Sequence, residues 1–224
     1  MINLLTVYDC GKPKQRYGKN NDGGYVVIPE LEYDCFLSAG IGNDTSFEHV
    51  FMLFHDVKEA HVFDGTSLYK EDSIPGLVFH KLNIMGECSA TAMNLHRYLT
   101  LYKNVFIKMD IEGYERQWLD ALPFGLQRNI KQITMEFHGL EVSLPYVKKL
   151  LQTHTLVHFH GNNYGGIVEY KGLKLPNVFE CTFLRTAGFD KFTPNKTPLP
   201  CSIDQPNNKV KPDINLNFKP FVNL

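Results

Sequence analysis

The sequence predicts an α/β domain with a doubly wound, mostly parallel sheet and helices on both faces. Three observations predict it. First, short apolar runs alternate with segments of helical period through most of the 224 residues. Second, two of those runs stop abruptly in polar turns: Cys35–Ala39 before Gly40-Ile41-Gly42, and Val105–Met109 before Asp110-Ile111-Glu112-Gly113. Such runs read as buried strands that deliver polar groups to the sheet edge where open α/β sheets bind their ligands. Third, no helical period separates the last two apolar runs between positions 161 and 177, which predicts a hairpin and an antiparallel strand near one edge.

In chain order, residues 1–23 are polar and irregular, with Gly11, Pro13, Gly18 and Gly23. Tyr25–Ile28 is a short strand stopped by Pro29, which has no N–H to donate. After the Cys35–Ala39 strand, Phe47, Val50, Phe51 and Phe54 recur at helical spacing, with Asp44 or Thr45 as the cap. Ala60–Phe63 is a strand stopped by Asp64-Gly65, and Leu77–His80 is another. Positions 88–101 read as a helix with Ala92, Leu95, Leu99 and Leu101 mostly on one face. A strand over 104–109 and a helix over 114–122, ended by Pro123, follow. Ile130–Phe137 is a strand, 141–152 a helix, and His154–His160 and Val178–Leu184 are the last strands. From 190 to 224 no period is visible, and six of the twelve prolines fall there. The expected organisation is a domain over 1–189 and an extended Pro/Asn/Lys-rich tail over 190–224 that wraps it or serves as a linker.

Composition narrows the function classes. With 23 basic and 24 acidic residues, the chain has no charge excess suited to a nucleic-acid backbone. Cys10, Cys35, Cys88, Cys181 and Cys201 are widely spaced and contain no CxxC pair, which reads as free thiols in a reducing compartment rather than a zinc knuckle. No stretch reaches the roughly 20 apolar residues of a membrane span, and no charged leader precedes an apolar run. The expectation is a soluble, cytoplasmic protein.

The turn Gly40-Ile41-Gly42-Asn43-Asp44 between strand and helix is of a nucleotide-binding type, because glycine permits close backbone approach and a helix start offers free N–H groups. Thr45 holds the third position of a GxGxxG pattern, which weakens a pyrophosphate reading. Asp64 lies 22 residues after Gly42, where an acid can accept hydrogen bonds from both hydroxyls of a ribose. Together the two favour an adenosine-containing ligand without pyrophosphate, and S-adenosylmethionine fits that description. Asn83-Ile84-Met85 can frame the adenine. Each segment also has an ordinary reading, as a tight turn, a turn residue before Gly65, or a plain loop.

These segments in their order resemble the S-adenosylmethionine-dependent methyltransferases, in particular the FkbM-like branch, over about residues 14 to 186. The resemblance lies in Arg16-Tyr17-Gly18 with Asp22-Gly23-Gly24-Tyr25, in Ser38-Ala39-Gly40-Ile41-Gly42-Asn43-Asp44-Thr45-Ser46-Phe47-Glu48, and in Phe63-Asp64-Gly65-Thr66. It continues in Lys108-Met109-Asp110-Ile111-Glu112-Gly113-Tyr114-Glu115, Met135-Glu136-Phe137-His138 and His158-Phe159-His160-Gly161-Asn162-Asn163. Gly65 departs from the pattern, standing where many relatives carry proline. The resemblance implies a seven-stranded Rossmann-like class I methyltransferase sheet and methyl transfer to oxygen, with sugars and glycosylated products as frequent acceptors. It places the cofactor on Gly40, Ile41, Gly42, Asn43, Asp44, Glu48, Asp64, Gly65, Asn83 and Asp110.

A sugar hydroxyl is a poor nucleophile, so a base or a metal ion must help remove its proton. Strand ends supply the candidates Asp110, Glu136, His138 and His160. Residues two apart in a strand share a face, which pairs Glu136 with His138 and His158 with His160. In one mechanism His138 or His160 is the general base. In the other, Asp110 and Glu136 with His138 hold Mg²⁺, Mn²⁺ or Ca²⁺. Candidate acceptor contacts are Tyr17, Tyr25, Glu112, Asn162, Asn163 and Tyr164, since aromatics beside amides suit sugar rings. The remaining polar residues have plainer readings: Glu115 as a solvated helix face, Glu112 as a helix-turn residue, His158 as a packed strand position. Competing classes are a nicotinamide-dependent oxidoreductase and a non-catalytic domain that keeps the fold.

Overall fold

The two most apolar runs become central strands in which every residue is buried, β4 (Cys35–Ala39) and β9 (Val105–Met109). Runs apolar on both faces suit a parallel sheet covered on both sides. The computed structural model describes residues 2–68 and 74–223. Before β4 come a short 3₁₀ turn (Ile2–Leu5), β1 (Tyr8–Asp9), β2 (Gln15–Tyr17) and β3 (Tyr25–Val27). Between β4 and β9 lie α1 (Ser46–Phe54), β5 (Glu59–Phe63), β6 (Leu77–His80), β7 (Asn83–Ile84), β8 (Ala92–Met93) and α2 (His96–Leu101). After β9 follow α3 (Glu115–Ala121), α4 (Phe124–Gln127), β10 (Ile130–His138), α5 (Leu140–Leu150), β11 (His154–Tyr170), β12 (Leu173–Arg185) and β13 (Thr193–Pro194).

The main sheet has seven strands in the order β11-β12-β10-β9-β4-β5-β6. All its pairings are parallel except those of β12, which runs antiparallel to both β10 and β11. This is a doubly wound, Rossmann-like sheet, with its antiparallel strand one in from the edge. From β4 the order runs outward in both directions, so the crevice between the carboxyl ends of β4 and β9 is the topological switch point where such sheets take their ligands.

The two faces of the sheet differ in chemistry. One carries Leu37, Ile107, Ile133, Met135, Phe137 and Phe179 and is covered by α2, α3 and α5 through Leu99, Trp118, Leu144 and Val147. The other is apolar only at its base, where Phe36 and Phe106 meet Phe47 and Phe51 of α1 and Tyr17, Tyr25 and Val27 of the β2–β3 hairpin. Toward the carboxyl ends the register sets Ser38, Lys108, Thr134, Thr182 and His158 in one row across that face. The next row brings Glu136 opposite Glu180 and Glu180 opposite His160. A buried polar face needs partners for its groups, and the hairpin and the C-terminal tail bring them.

Three expectations are corrected. Positions 88–101 are not one helix: Ala92–Met93 pairs with Asn83–Ile84 as a strand, and Leu95 takes a left-handed φ of +64° before α2 begins. Ser89 turns the chain locally, its N–H donating to the Ala92 carbonyl (2.8 Å) and its hydroxyl accepting from Thr91 N–H (3.2 Å), a competitor to helix that serine favours. Residues 1–23 are not irregular throughout, because Gln15–Tyr17 pairs antiparallel with Tyr25–Val27. Finally, β11 and β12 extend well past the expected ends into a long hairpin that turns at Lys171-Gly172, both with positive φ. The stretch after 190 crosses β1 as β13 and buries Leu199, Leu216, Phe221 and Val222 in the same core as the sheet.

Candidate cofactor and acceptor site

A cavity of about 640 Å³ opens at the switch point. That size lies within the range of small-molecule sites. Of the residues expected to hold a cofactor, Gly40, Ile41, Gly42, Asn43, Asp44, Glu48, Asp64, Asn83 and Asp110 line it, joined by Tyr25, Glu112, Lys108 and Tyr114. Gly65 does not: a Cβ there would fall 2.4 Å from Asn83 Oδ1, so this glycine makes room for a neighbouring side chain.

The glycine turn is stitched to the strand ends beside it. Gly40 N–H donates to Phe63 O (2.9 Å), Asp110 N–H to Ala39 O (3.0 Å), and the Lys108 ammonium to Gly40 O. Asp64 does more than end its strand. Its Oδ2 accepts from the N–H groups of Ile41 (3.1 Å) and Gly42 (2.9 Å). Its Oδ1 accepts from Thr66 N–H (2.7 Å), Thr66 Oγ1 (2.7 Å) and Ser67 N–H (2.8 Å). Burial raises its pKa, and these donors outweigh it and hold the group below the usual carboxylate range. A carboxylate offers about four lone-pair sites, so five protein donors leave none for a ribose. As folded, Asp64 clamps the glycine turn, and the expected ribose contact is not offered.

Free acceptors lie deeper. Glu48 is 1% exposed; its Oε1 accepts from Ser38 Oγ (2.5 Å), and its Oε2 has no partner among the described residues. Burial raises its pKa against the pull of Lys108. Asp110 accepts the Tyr25 hydroxyl at Oδ2 (2.9 Å), while its buried Oδ1 is likewise unpartnered. Burial raises the pKa of Asp110 too, opposed by Lys108, the Tyr25 hydroxyl and His138. Among the described residues, Asp22, Asp44, Glu48, Asp64, Asp110 and Glu112 line the cavity with Lys19 and Lys108, and Lys19 is paired with Asp44 at 3.0 Å. The field there favours a cationic ligand and opposes a diphosphate.

Behind Asp110 sits His138, ringed by carboxylates. Its Nε2 is 3.2 Å from Glu136 Oε1 and 3.3 Å from Glu112 Oε2. Its Nδ1 is 3.3 Å from Glu115 Oε1, without the alignment of a hydrogen bond. Burial lowers the imidazole's pKa, but Glu115 and Glu136 outweigh it and hold the ring up to about 10. His138 is therefore an imidazolium at neutral pH, which corrects its reading as the general base. Glu136 beside it shifts the other way from an ordinary ionised carboxylate: burial raises its pKa to about 7, helped by Asp110 and Glu180 and opposed by His138 and Asn162.

Glu115 was missed. Instead of facing solvent it is buried, and its Oε1 accepts from the N–H groups of Ile111 (2.9 Å) and Gly113 (3.3 Å). It holds the Asp110–Gly113 turn from the first turn of α3, as an acidic residue near a helix start can. The signal for this was the Glu112-Gly113-Tyr114-Glu115 spacing itself. One ligand atom each from Asp110, Glu115 and His138 lies within 4.8 Å of the others, so Glu115 joins the residues that could hold a cation.

Several candidates sit elsewhere. Tyr17 is 0% exposed in the aromatic base, its hydroxyl 3.1 Å from His55 Nε2, so it offers nothing to an acceptor. His160 is buried with both ring nitrogens engaged, Nδ1 with Glu180 (3.3 Å) and Nε2 with Asp213 (3.1 Å), and has no nitrogen left to act as a base. Asn163 is buried, donating to the carbonyls of Asn208, Lys211 and Pro212, and so holds the tail rather than a sugar. Asn162 is buried as well and orients Glu136 through Nδ2 (3.0 Å to Oε2). Tyr164 is 59% exposed.

His160 yields a prediction. Burial lowers its pKa, but Asp213 and Glu180 outweigh it and raise the ring from 6.5 to about 10. A raised histidine contributes stability that is complete below its unfolded pKa and lost as pH rises through the folded one. The melting temperature of the protein is expected to fall between pH 7 and 10 more steeply than that of His160→Gln. Parallel slopes for the two would refute the assignment.

No protein-family model matches the chain, and no curated protein matches it. Solved structures do. A Streptococcus thermophilus protein described as a hemolysin aligns at 11% identity and TM-score 0.42 over 70% of this chain and 62% of its own, so the match spans less than two thirds of that protein. The precorrin-6y C5,15-methyltransferase of Geobacter metallireducens aligns at 15% identity and TM-score 0.40, covering 70% of this chain and 84% of that one. A Thermoplasma acidophilum protein described as a methyltransferase aligns at 9% identity and TM-score 0.36, covering 70% of each chain. The strand order of the sheet, rather than these distant likenesses, carries the fold assignment.

Proposed function

We propose that this chain is an S-adenosylmethionine-dependent O-methyltransferase of the FkbM-like kind, acting on a hydroxyl of a sugar or glycan. The observation that carries the reading is the acidic cavity at the switch point, where Glu48 Oε2 and Asp110 Oδ1 are buried acceptors without partners among the described residues. Unmatched buried carboxylate oxygens are costly, and a ligand bearing an ammonium, a sulfonium and hydroxyls answers them. When bound, the cofactor supplies a methyl group already activated by the positive charge on sulfur. Two expected contacts do not fit as folded: Gly65 lies outside the cavity, and Asp64's oxygens are filled by the glycine turn and by Thr66 and Ser67.

Asp110 is the group placed to take the acceptor's proton. It lines the cavity, and burial makes it a stronger base than an exposed aspartate. The Tyr25 hydroxyl fixes its rotamer. His138, held cationic, balances the carboxylates around it, and Glu136 behind is a second place for the proton. Tyr114, 47% exposed on the cavity wall, is the aromatic surface available to a sugar ring. A second reading replaces the base by a divalent cation held by Asp110, Glu115 and His138 with Glu136 beside them, supported by the closeness of those ligand atoms. The acidic lining disfavours a nicotinamide dinucleotide, whose diphosphate would meet six carboxylates.

S-adenosylhomocysteine is expected to raise the melting temperature, because a ligand at a hundred times its Kd stabilises the native state by about 2.7 kcal/mol. An unchanged midpoint at millimolar ligand would remove the cofactor assignment. Mass spectrometry of sugar acceptors incubated with methyl-labelled cofactor tests the transfer, and loss of labelling with a chelator selects the cation reading over the base. Cofactor binding without transfer to any acceptor would point instead to a non-catalytic domain.

A further inference from the structure

We infer that His158, Cys201 and Asp204 form a second, buried site for a divalent cation of the zinc class, which fastens the C-terminal tail to the polar face of the sheet. One ligand atom from each lies within 4.8 Å of the other two. His158 comes from β11 and is 3% exposed. Cys201 and Asp204 come from a tail loop closed by two hydrogen bonds, Cys201 N–H to Asp204 Oδ2 (2.7 Å) and Asp204 N–H to Cys201 O (3.0 Å). The loop thus holds its thiol and the second Asp204 oxygen beside the imidazole, with His158 Nε2 2.8 Å from Asp204 Oδ1. The second ring nitrogen, Nδ1, is buried without a partner among the described residues.

Tetrahedral zinc, with bonds of about 2.0–2.3 Å to nitrogen, oxygen and sulfur, sets its ligand atoms roughly 3.3–3.8 Å apart. For His158 and Asp204 both to reach one ion, their contact of 2.8 Å must open by about half an ångström. One imidazole, one thiolate and one carboxylate form a borderline donor set, suited to zinc rather than to the oxygen-preferring Mg²⁺ or Ca²⁺. Cys201 is partly exposed, which leaves a path for water to fill a fourth position. On binding, the Cys201 thiol gives its proton to solvent, and the proton that His158 Nε2 donates to the ionised Asp204 passes to Nδ1, leaving a neutral imidazole with Nε2 free to ligate. The two negative ligands then balance the doubly charged ion. Burial and the neighbouring Asp204 raise the pKa of the Cys201 thiol, so without an ion it holds its proton, and the cation itself must draw off that proton. Farther along the tail, Asn207 donates to Glu180 (2.7 Å) and Asp213 meets His160. A metal at Asp204 would therefore anchor the segment that completes the polar face behind the candidate site.

Cobalt(II) titration of the whole protein, under reducing conditions, tests this. One equivalent is expected to produce a near-ultraviolet sulfur-to-cobalt charge-transfer band together with intense visible bands of a tetrahedral ion. The Asp110, Glu115 and His138 cluster has no sulfur, so binding there cannot produce that band, and His138→Gln should leave it in place. Cys201→Ser changes one atom and keeps both backbone hydrogen bonds of the loop; it should abolish the charge-transfer band, and Asp204→Asn should weaken cobalt binding at least tenfold. Circular dichroism of both variants confirms the fold. A wild-type protein that shows no such band at excess cobalt, or a band that survives Cys201→Ser, would overturn the site.

Discussion

Asp110→Asn is expected to lower methyl transfer by about 10²–10⁴-fold, the usual worth of a positioned general base, while the protein folds and still binds S-adenosylhomocysteine. The substitution keeps the shape of the side chain, and its amide oxygen can still accept the Tyr25 hydroxyl that now reaches Oδ2 at 2.9 Å. It removes the acceptor capacity of Oδ1, the oxygen that no described residue satisfies. Removing a buried carboxylate of raised pKa costs little stability, since burial already disfavours its charged form. The effect should therefore fall on turnover. A variant retaining more than a tenth of wild-type turnover with intact cofactor binding would show that the proton leaves by another route.

The neighbouring groups set the pH dependence of the same step. A base must be deprotonated to act, so activity should climb as pH rises through the carboxylate titrations. The charge of Asp110 helps raise the pKa of Glu136, so the two buried carboxyls titrate together. With Glu136 raised to about 7, the rising limb of the rate profile should lie near neutrality rather than near pH 4. Glu136→Gln should move that limb to lower pH, because Asp110 then loses a like charge that raises its own affinity for protons. An unmoved limb would separate Glu136 from the reaction.

The strand ends that form the cavity were legible because each is announced locally. An apolar run that stops at Gly40, Asp64 or Asp110 states in a few residues where a parallel strand meets solvent. What escaped is the use to which those ends are put. Asp64 turns inward to hold the N–H groups of Ile41 and Gly42, a contact between positions 22 and 23 apart that no local pattern encodes. His160 looked like a free strand-end imidazole because its partner, Asp213, lies 53 residues away in a stretch with no period, the same stretch that gives His158 its partner Asp204, 46 residues on. That stretch is extended chain that buries single side chains at irregular intervals, so neither a helical nor a strand period could reveal it. Glu115 shows the converse error: its position at a helix start suggested a solvated face, whereas the preceding turn needed an acceptor for two N–H groups.

Gly40→Ala should destabilise the protein by about 2–4 kcal/mol, the sum of left-handed backbone strain and overpacking. Gly40 has a φ of +75°, and a Cβ added there would lie 1.6 Å from the carbonyl oxygen of Asp110 and 2.7 Å from its carbonyl carbon. Those are backbone atoms of the adjacent strand end, held by Asp110 N–H to Ala39 O at 3.0 Å, and they cannot move without parting β4 from β9. At roughly 2–4 °C per kcal/mol for a chain of this size, the melting temperature should fall by about 5–15 °C, and cofactor binding should be lost with the switch point. Gly42→Ala is the control. Its φ of +52° is also left-handed, but a Cβ there meets nothing within 4 Å, so only the conformational cost of about 1–2 kcal/mol applies. The pair separates two reasons for glycine in one turn: Gly40 is required by the close packing of two strand ends, and Gly42 by backbone conformation beside an open cavity. Equal losses in the two variants, measured by thermal unfolding, would show that the strands do not approach as closely as this contact requires.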